Sequence, residues 1–68
     1  MINVKSIAAQ TGVPVGVVLL SAAKIIEYRE ISGEFTDGMR IEVIDPEIYL
    51  TNPLAKLVKE RLIHEQLT

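Results

Sequence analysis

The stretch that decides the fold is residues 7–18, which read IAAQTGVPVGVV. Gly12 is predicted to end a first helix, because a glycine just past a helix adopts the left-handed conformation without strain. Pro14 follows two residues later, and its fixed φ suits the first turn of a new helix. The stretch therefore predicts two helices joined by a tight turn.

The first of these helices is predicted over Val4–Thr11. Asn3 directly before it is a good N-cap residue, since its side chain can accept a hydrogen bond from an unpaired N–H of the first turn. Ile2 and Ile7 occupy the two positions of a hydrophobic staple, which fixes how the chain runs into the helix. The N-terminal residues thus contain a complete helix start signal.

The second helix is predicted to begin at Pro14 and to end at Ala23. It is apolar nearly all round, which indicates either a central buried helix or a helix with one face in the core and the other in an interface. Gly16 and the valines weaken its helix propensity, but its length favours a helix over a strand. An alternative is that this helix continues through Tyr28.

A β-hairpin and a last helix are predicted to follow. The segments Ile25–Ile31 and Met39–Ile44 alternate apolar and charged residues, and residues 32–38 between them are rich in turn formers. A turn at Pro46–Leu50 then precedes an amphipathic helix at Pro53–Leu67. The sequence therefore predicts a single α+β domain over residues 1–68, with two N-terminal helices, a hairpin and a C-terminal helix.

Composition limits the function classes. A chain of 68 residues has room for one modest core, yet 49% of its residues are apolar. Some of this apolar surface is expected to meet a protein partner or a second copy of the chain. The net charge of −2 argues against binding held mainly by phosphate contacts or by anionic lipid.

The apolar stretch near the N-terminus bears on where the chain is located. The chain is expected to be cytoplasmic or part of a virion. The apolar stretch Val13–Ala23 is too short for a membrane span, which takes roughly 20 residues. A signal peptide with Lys5 in its charged region remains an alternative to a folded second helix.

Residues for catalysis or metal binding are scarce. Cysteine is absent, so disulfides and thiolate ligands are excluded, and His64 is the only histidine. Glu60 and His64 stand four apart on the last predicted helix, but no third or fourth ligand accompanies them. The glycines form no phosphate-binding pattern. We therefore predict a non-catalytic protein that needs no metal and no cofactor.

Residues 7–18 also resemble a helix-turn-helix. In a helix-turn-helix, a small residue stands four positions before the turn glycine, and apolar residues follow that glycine. Ala8, Gly12, Val13 and Val18 match these positions here. The order of elements that follows resembles small winged-helix proteins such as phage excisionases and MerR-type headpieces. The resemblance implies DNA binding by the second helix.

The resemblance is incomplete at the positions that would meet DNA. Members that bind DNA open the second helix with polar and basic residues, because base edges and phosphates need hydrogen-bond partners. Here these positions hold Pro14, Val15, Gly16 and Val17, and the predicted turn carries Glu34 and Asp37. The departures favour a protein contact over a DNA contact.

Two functions from different classes are therefore carried forward. The first is a protein–protein interaction module, either an accessory subunit or a structural element of a larger assembly such as a virion. Its candidate contact residues, which the sequence cannot divide between interface and core, are Val15, Val17, Val18, Leu19, Ile63 and Leu67. The second is a small winged-helix DNA-binding regulator. Its candidate phosphate contacts are Lys5, Lys24, Arg29 and Arg40.

Overall fold

A computed structural model of the chain describes residues 1–67. They form one small α+β domain in which three helices pack with a three-stranded antiparallel sheet. The elements in chain order are β1 (Ile2–Asn3), α1 (Val4–Thr11), α2 (Val15–Ile31), β2 (Ile41–Ile44), β3 (Glu47–Leu50) and α3 (Asn52–Leu67). The α+β class and the order of two helices, a hairpin and a C-terminal helix are confirmed.

The first helix is built as its local signals predict. The Asn3 side chain accepts a hydrogen bond from the backbone N–H of Lys5 at 2.8 Å and thereby caps α1. Gly12 ends the helix with φ +74°, and its N–H donates to the carbonyl of Ala8 at 2.8 Å. The helix axis then turns through 107° between α1 and α2.

The second helix is longer than its main prediction. It does not end at Ala23 but continues to Ile31, so the strand predicted over Ile25–Ile31 is wrong and the alternative of a longer helix is correct. The physical reason is that Val18, Ala22 and Ile25 continue one inward face at helical spacing. The apolar and charged residues of the seven-residue segment 25–31 are compatible with helical spacing as well as with the alternation of a strand.

The hairpin lies later in the chain than predicted. β2 pairs with β3 in antiparallel register, with Val43 opposite Ile48 and Ile44 opposite Glu47. Strand β3 therefore occupies most of the segment that was predicted as a turn before the last helix, and the turn consists of the residue pair between β2 and β3. That pair, Asp45 and Pro46, has a cis peptide bond. Of the predicted second strand, only its C-terminal four residues belong to the sheet.

The sheet has an unpredicted third strand. β1 pairs with β3, which gives the strand order β1-β3-β2 and leaves β2 at an edge. Leu50 lies at the centre of this arrangement, because it is opposite Ile2 on one side and Ile41 on the other, and it is completely buried. The sheet therefore ties the N-terminus to the hairpin on the inward face.

The core is assembled from all three helices and β3. Its buried apolar side chains are Val4, Ile7, Val18, Ala22, Leu50, Leu54, Ala55, Val58 and Leu62. Gln66 near the end of α3 donates a hydrogen bond to the carbonyl of Thr11, which fastens the last helix to the end of α1. α3 begins at Asn52, one residue before the predicted start, a difference of the size usual at helix ends.

One finding concerns membranes. Within residues 1–67, no helix alone has the length and apolar character needed to cross a bilayer, although α1 and α2 taken together, across their bend, reach both.

Candidate functional site: the outer face of the second helix

The predicted contact residues do not lie together. Val18 is completely buried and belongs to the core, so it is corrected from an interface candidate to a core residue. Val15 and Leu19 are half-buried and pack against the core, while Val17 is 40% exposed. The structure thus separates residues of α2 that the sequence could not divide.

The other two candidates are on α3. Ile63 and Leu67 are exposed, and at about 100° per residue they lie on the side of α3 that faces away from the buried Val58. Neither lines the grooves that run beside α2. They are therefore not part of the same surface as Val17.

Exposed residues of α2 form one continuous band, which we call the α2 stripe. Its members share one side of the helix and are all exposed: Val17, Leu20, Lys24, Glu27, Tyr28 and Ile31. The large apolar ones are far from covered, with Leu20 56%, Tyr28 69% and Ile31 78% exposed. A helix of a small soluble domain normally turns polar residues outward, so this band is a candidate contact surface.

Most of this stripe was missed from the sequence. Only Val17 was among the predicted contact residues, and Lys24 was a candidate for DNA. Tyr28 and Ile31 were assigned to a strand, which places alternate residues on opposite faces. The signal that could have found the stripe is the spacing of 17, 20, 24, 27 and 31, which repeats every three to four residues.

Three open grooves accompany the stripe where α2 meets α3. The largest has a volume of about 430 Å³, and its lining residues are Ile25, Tyr28, Arg29, Glu34, Leu57, Glu60, Arg61 and His64. The other two grooves have volumes of about 310 and 70 Å³. Lys24 lines both of them, and Arg61 lines all three grooves. The linings combine apolar with charged side chains, as protein contact surfaces do.

Arg61 is held in place in the lining of these grooves. Its Nε donates to Oε1 of Glu65 at 3.0 Å, one turn along α3. Its position beside Lys24 puts two cations at the same part of the α2 stripe. Glu27 and Glu65 each line one of the same two grooves, so the charges here are mixed.

The four cations predicted to contact phosphate are differently placed. Lys5 binds Glu47 at 3.2 Å, Arg40 binds Glu42 at 2.9 Å, and Arg29 lies 3.9 Å from Glu34. Lys24 makes no ion pair within residues 1–67. Three of the four candidates therefore carry a neighbouring carboxylate that offsets their charge.

The Lys5 pair belongs to a small polar cluster on the outward face of the sheet. Asn3 donates from Nδ2 to Oε2 of Glu47 at 3.1 Å, and Lys5 donates from Nζ to Oε1. These two hydrogen bonds, that from Asn3 first, lower the pKa of Glu47. The cluster links β1 and α1 to β3, which is a structural role.

A second exposed apolar patch lies on the hairpin. Val43 is 69% exposed and Ile44 54%, and both belong to β2, whose outer edge has no neighbouring strand among residues 1–67. An exposed strand edge can pair with another chain. At four residues the strand is short, which makes it a smaller surface than the α2 stripe.

The single histidine is on the rim of the largest groove. His64 is exposed, and Glu60 lies one turn before it on the same helix. Among residues 1–67 there is no group of three His, Asp or Glu side chains that could hold a metal ion.

Comparison with known proteins found no relatives: no protein-family model, no curated protein and no solved structure matches the chain.

Proposed function

We propose that this chain is a non-catalytic protein–protein interaction module, acting as an accessory subunit or as a structural element of a larger assembly such as a virion. The observation that carries the proposal is the α2 stripe, where large apolar side chains stand exposed along a helix of 17 residues. The corresponding location is the cytoplasm or the interior of a virion.

The position of the stripe supports this proposal. In a helix-turn-helix the second helix is the one that contacts the ligand. Here the outward side of that helix carries Leu20, Tyr28 and Ile31, which offer apolar area rather than hydrogen bonds to base edges. Tyr adds a polar tip to a large apolar ring, and such residues are enriched at protein interfaces.

A second candidate function is a small winged-helix DNA-binding regulator. It is favoured by the 107° arrangement of α1 and α2, with the hairpin following them in the chain. Its weakness is electrostatic, because Lys5, Arg29 and Arg40 are paired with carboxylates and Glu27 and Glu30 are exposed on α2. Phosphates would meet acidic side chains on the helix that should approach them.

Site-specific photo-crosslinking in the native host tests the proposal. A photoreactive phenylalanine analogue replaces Tyr28 in one version of the chain and Gln10, an exposed residue of α1, in a control version. We expect protein adducts from position 28 that are absent from position 10. Adducts with nucleic acid from position 28 would establish the second candidate function instead. If position 28 gives no adducts that position 10 lacks, the α2 stripe is not a contact surface and the proposal fails.

A further inference from the structure

The α2 stripe has the spacing of a helix-pairing seam. Val17, Leu20, Lys24, Glu27 and Ile31 follow one another at intervals of three and four residues. Alternating intervals of three and four define the a and d positions of a heptad, which two paired helices bury against each other. All five residues are exposed in the single chain, so no other part of residues 1–67 covers the seam.

The two charges on this seam select the direction of a pairing helix. In a parallel pair of identical helices, each seam residue lies beside its own copy, so Lys24 would meet the partner's Lys24. In an antiparallel pair, a positions face d positions. Lys24 then faces the partner's Glu27, and the twofold axis repeats this contact with the roles exchanged.

The apolar residues fit the same antiparallel register. Positions that sum to 51 face each other, since 24 and 27 do, and this places Leu20 opposite the partner's Ile31. Two apolar layers then flank two ion pairs on a helix of about 25 Å, the length that 17 residues give. This register pairs four of the five seam residues, while Val17 lies opposite position 34, beyond the end of α2.

We infer that the occupant of the α2 stripe is a second copy of this chain, bound with its own α2 antiparallel. The inference rests on the proposed function and names the partner for the same surface. It commits to an isologous dimer in which the α2 stripe of each copy covers that of the other.

The charges of the isolated chain support this partner. Lys5, Arg29, Arg40 and Arg61 each have a carboxylate within 4.0 Å in their own chain. Lys24 and Glu27 make no ion pair with any described residue; the same is true of other charges such as Lys56 and Glu30, but only Lys24 and Glu27 stand at seam positions. A second copy supplies the opposite charge to both.

A dimer contact of standard size would take up a modest share of the surface of this chain. A specific dimer removes about 800 Å² from each partner, which is roughly a fifth of the 4460 Å² that this chain exposes. The molecule measures 34 × 31 × 16 Å, so a helix of about 25 Å runs along most of one long side. The grooves beside it add Arg61 and His64 of α3 to the surface that can be covered.

Charge exchange on the full chain tests this dimer. The measurement is sedimentation equilibrium from micromolar to millimolar concentration, and the expected result is a reversible dimer of twice the 7.5 kDa chain mass. Lys24→Glu and Glu27→Lys each replace two ion pairs by two like-charge contacts, so each should weaken dimerisation at least about tenfold. The double variant K24E/E27K recreates the pairs in reverse and should restore dimerisation.

Matched controls separate seam charge from net charge. Lys56→Glu and Asp37→Lys make the same charge changes at exposed positions outside α2, and both should dimerise as the unaltered chain does. Far-ultraviolet circular dichroism verifies that each variant keeps its helices. The substituted side chains are exposed, so we expect every variant to fold.

The other outcomes overturn the inference in distinguishable ways. A dimer that ignores both single substitutions, or one that the double variant fails to restore, uses another surface such as the β2 edge. A chain that stays monomeric at all concentrations has no such dimer. In that case, protein adducts from position 28 in the crosslinking experiment would identify a different protein as the occupant and leave the proposed function standing.

Discussion

Replacing Thr51 by valine removes one hydroxyl and keeps the shape of the side chain. Thr51 is only 8% exposed, and its Oγ1 accepts a hydrogen bond from the backbone N–H of Arg40 at 2.9 Å. The lost hydrogen bond and the donor left without it together lower the free energy of unfolding by about 1–2 kcal/mol. Each kcal/mol shifts Tm by about 4–8 °C in a domain of this size, so we expect a fall of about 4–16 °C.

Thermal unfolding followed by circular dichroism gives the shift in Tm, and hydrogen exchange of the Arg40 amide identifies its cause. Thr51→Ser is the matched control, because it retains the hydroxyl and loses a methyl group. Serine should lower Tm while the Arg40 amide stays protected, whereas valine should expose that amide to exchange. Equal protection of the amide in both variants would refute the role assigned to this hydroxyl.

Three further predictions concern the turn, the core and the polar cluster. Gly12→Ala should lower the free energy of unfolding by about 1–2 kcal/mol, because the backbone φ at this position is +74°. Urea unfolding measures this loss. No atom lies within 4 Å of the added Cβ, so a much larger loss would contradict a purely backbone cause. Val18→Ala should cost about 2 kcal/mol because the side chain is completely buried, while Leu20→Ala, measured at concentrations where the chain is monomeric, should stay within about 0.5 kcal/mol. Equal losses would contradict the division of α2 into a core face and the α2 stripe. Glu47 has a lowered pKa in the folded chain, so its contribution is present above the ordinary carboxyl range and is lost as pH falls through the lowered pKa. Glu47→Gln should therefore lose less stability between neutral and acidic pH than the unaltered chain, as urea unfolding at the two pH values will test, and an identical loss would remove Glu47 from the account.

The parts of the fold that were predictable depend on interactions over a few residues. Asn3 caps α1 through an N–H two residues away, and Gly12 ends the same helix by its own conformation. Both effects are complete within one helical turn, so the sequence contains all that determines them. The two ends of α1 were therefore predicted to the residue.

The parts that were missed depend on contacts between distant segments. Residues 25–31 are helical because they pack beside α3: Ile25 packs against the core and lines a groove together with Leu57 of α3. β1 has only two residues and forms a strand because it pairs with β3, more than forty positions later. Asp45 and Pro46 fit the start of a helix as well as a hairpin turn. Only the pairing of β2 with β3 decides between these two structures.

Only part of the candidate site could be located from the sequence. An apolar surplus in a short chain indicated a contact surface, and Val17 does lie on the α2 stripe. The rest of that stripe needed the correct end of α2, because a helix places residues 17, 24 and 31 on one side while a strand at 25–31 does not. One misplaced helix end therefore hid most of the surface.

The most direct test of the account is an isotope-filtered NOE measurement on a mixture of ¹³C-labelled and unlabelled chains. Leu20 and Ile31 are about 16 Å apart along the same helix, too far for an NOE within one chain. We expect NOEs between the methyl groups of Leu20 in one chain and Ile31 in the other. Contacts between chains confined to Val43 and Ile44 of β2, or no such contacts at millimolar concentration, would contradict the claim that α2 is where this protein meets its partner.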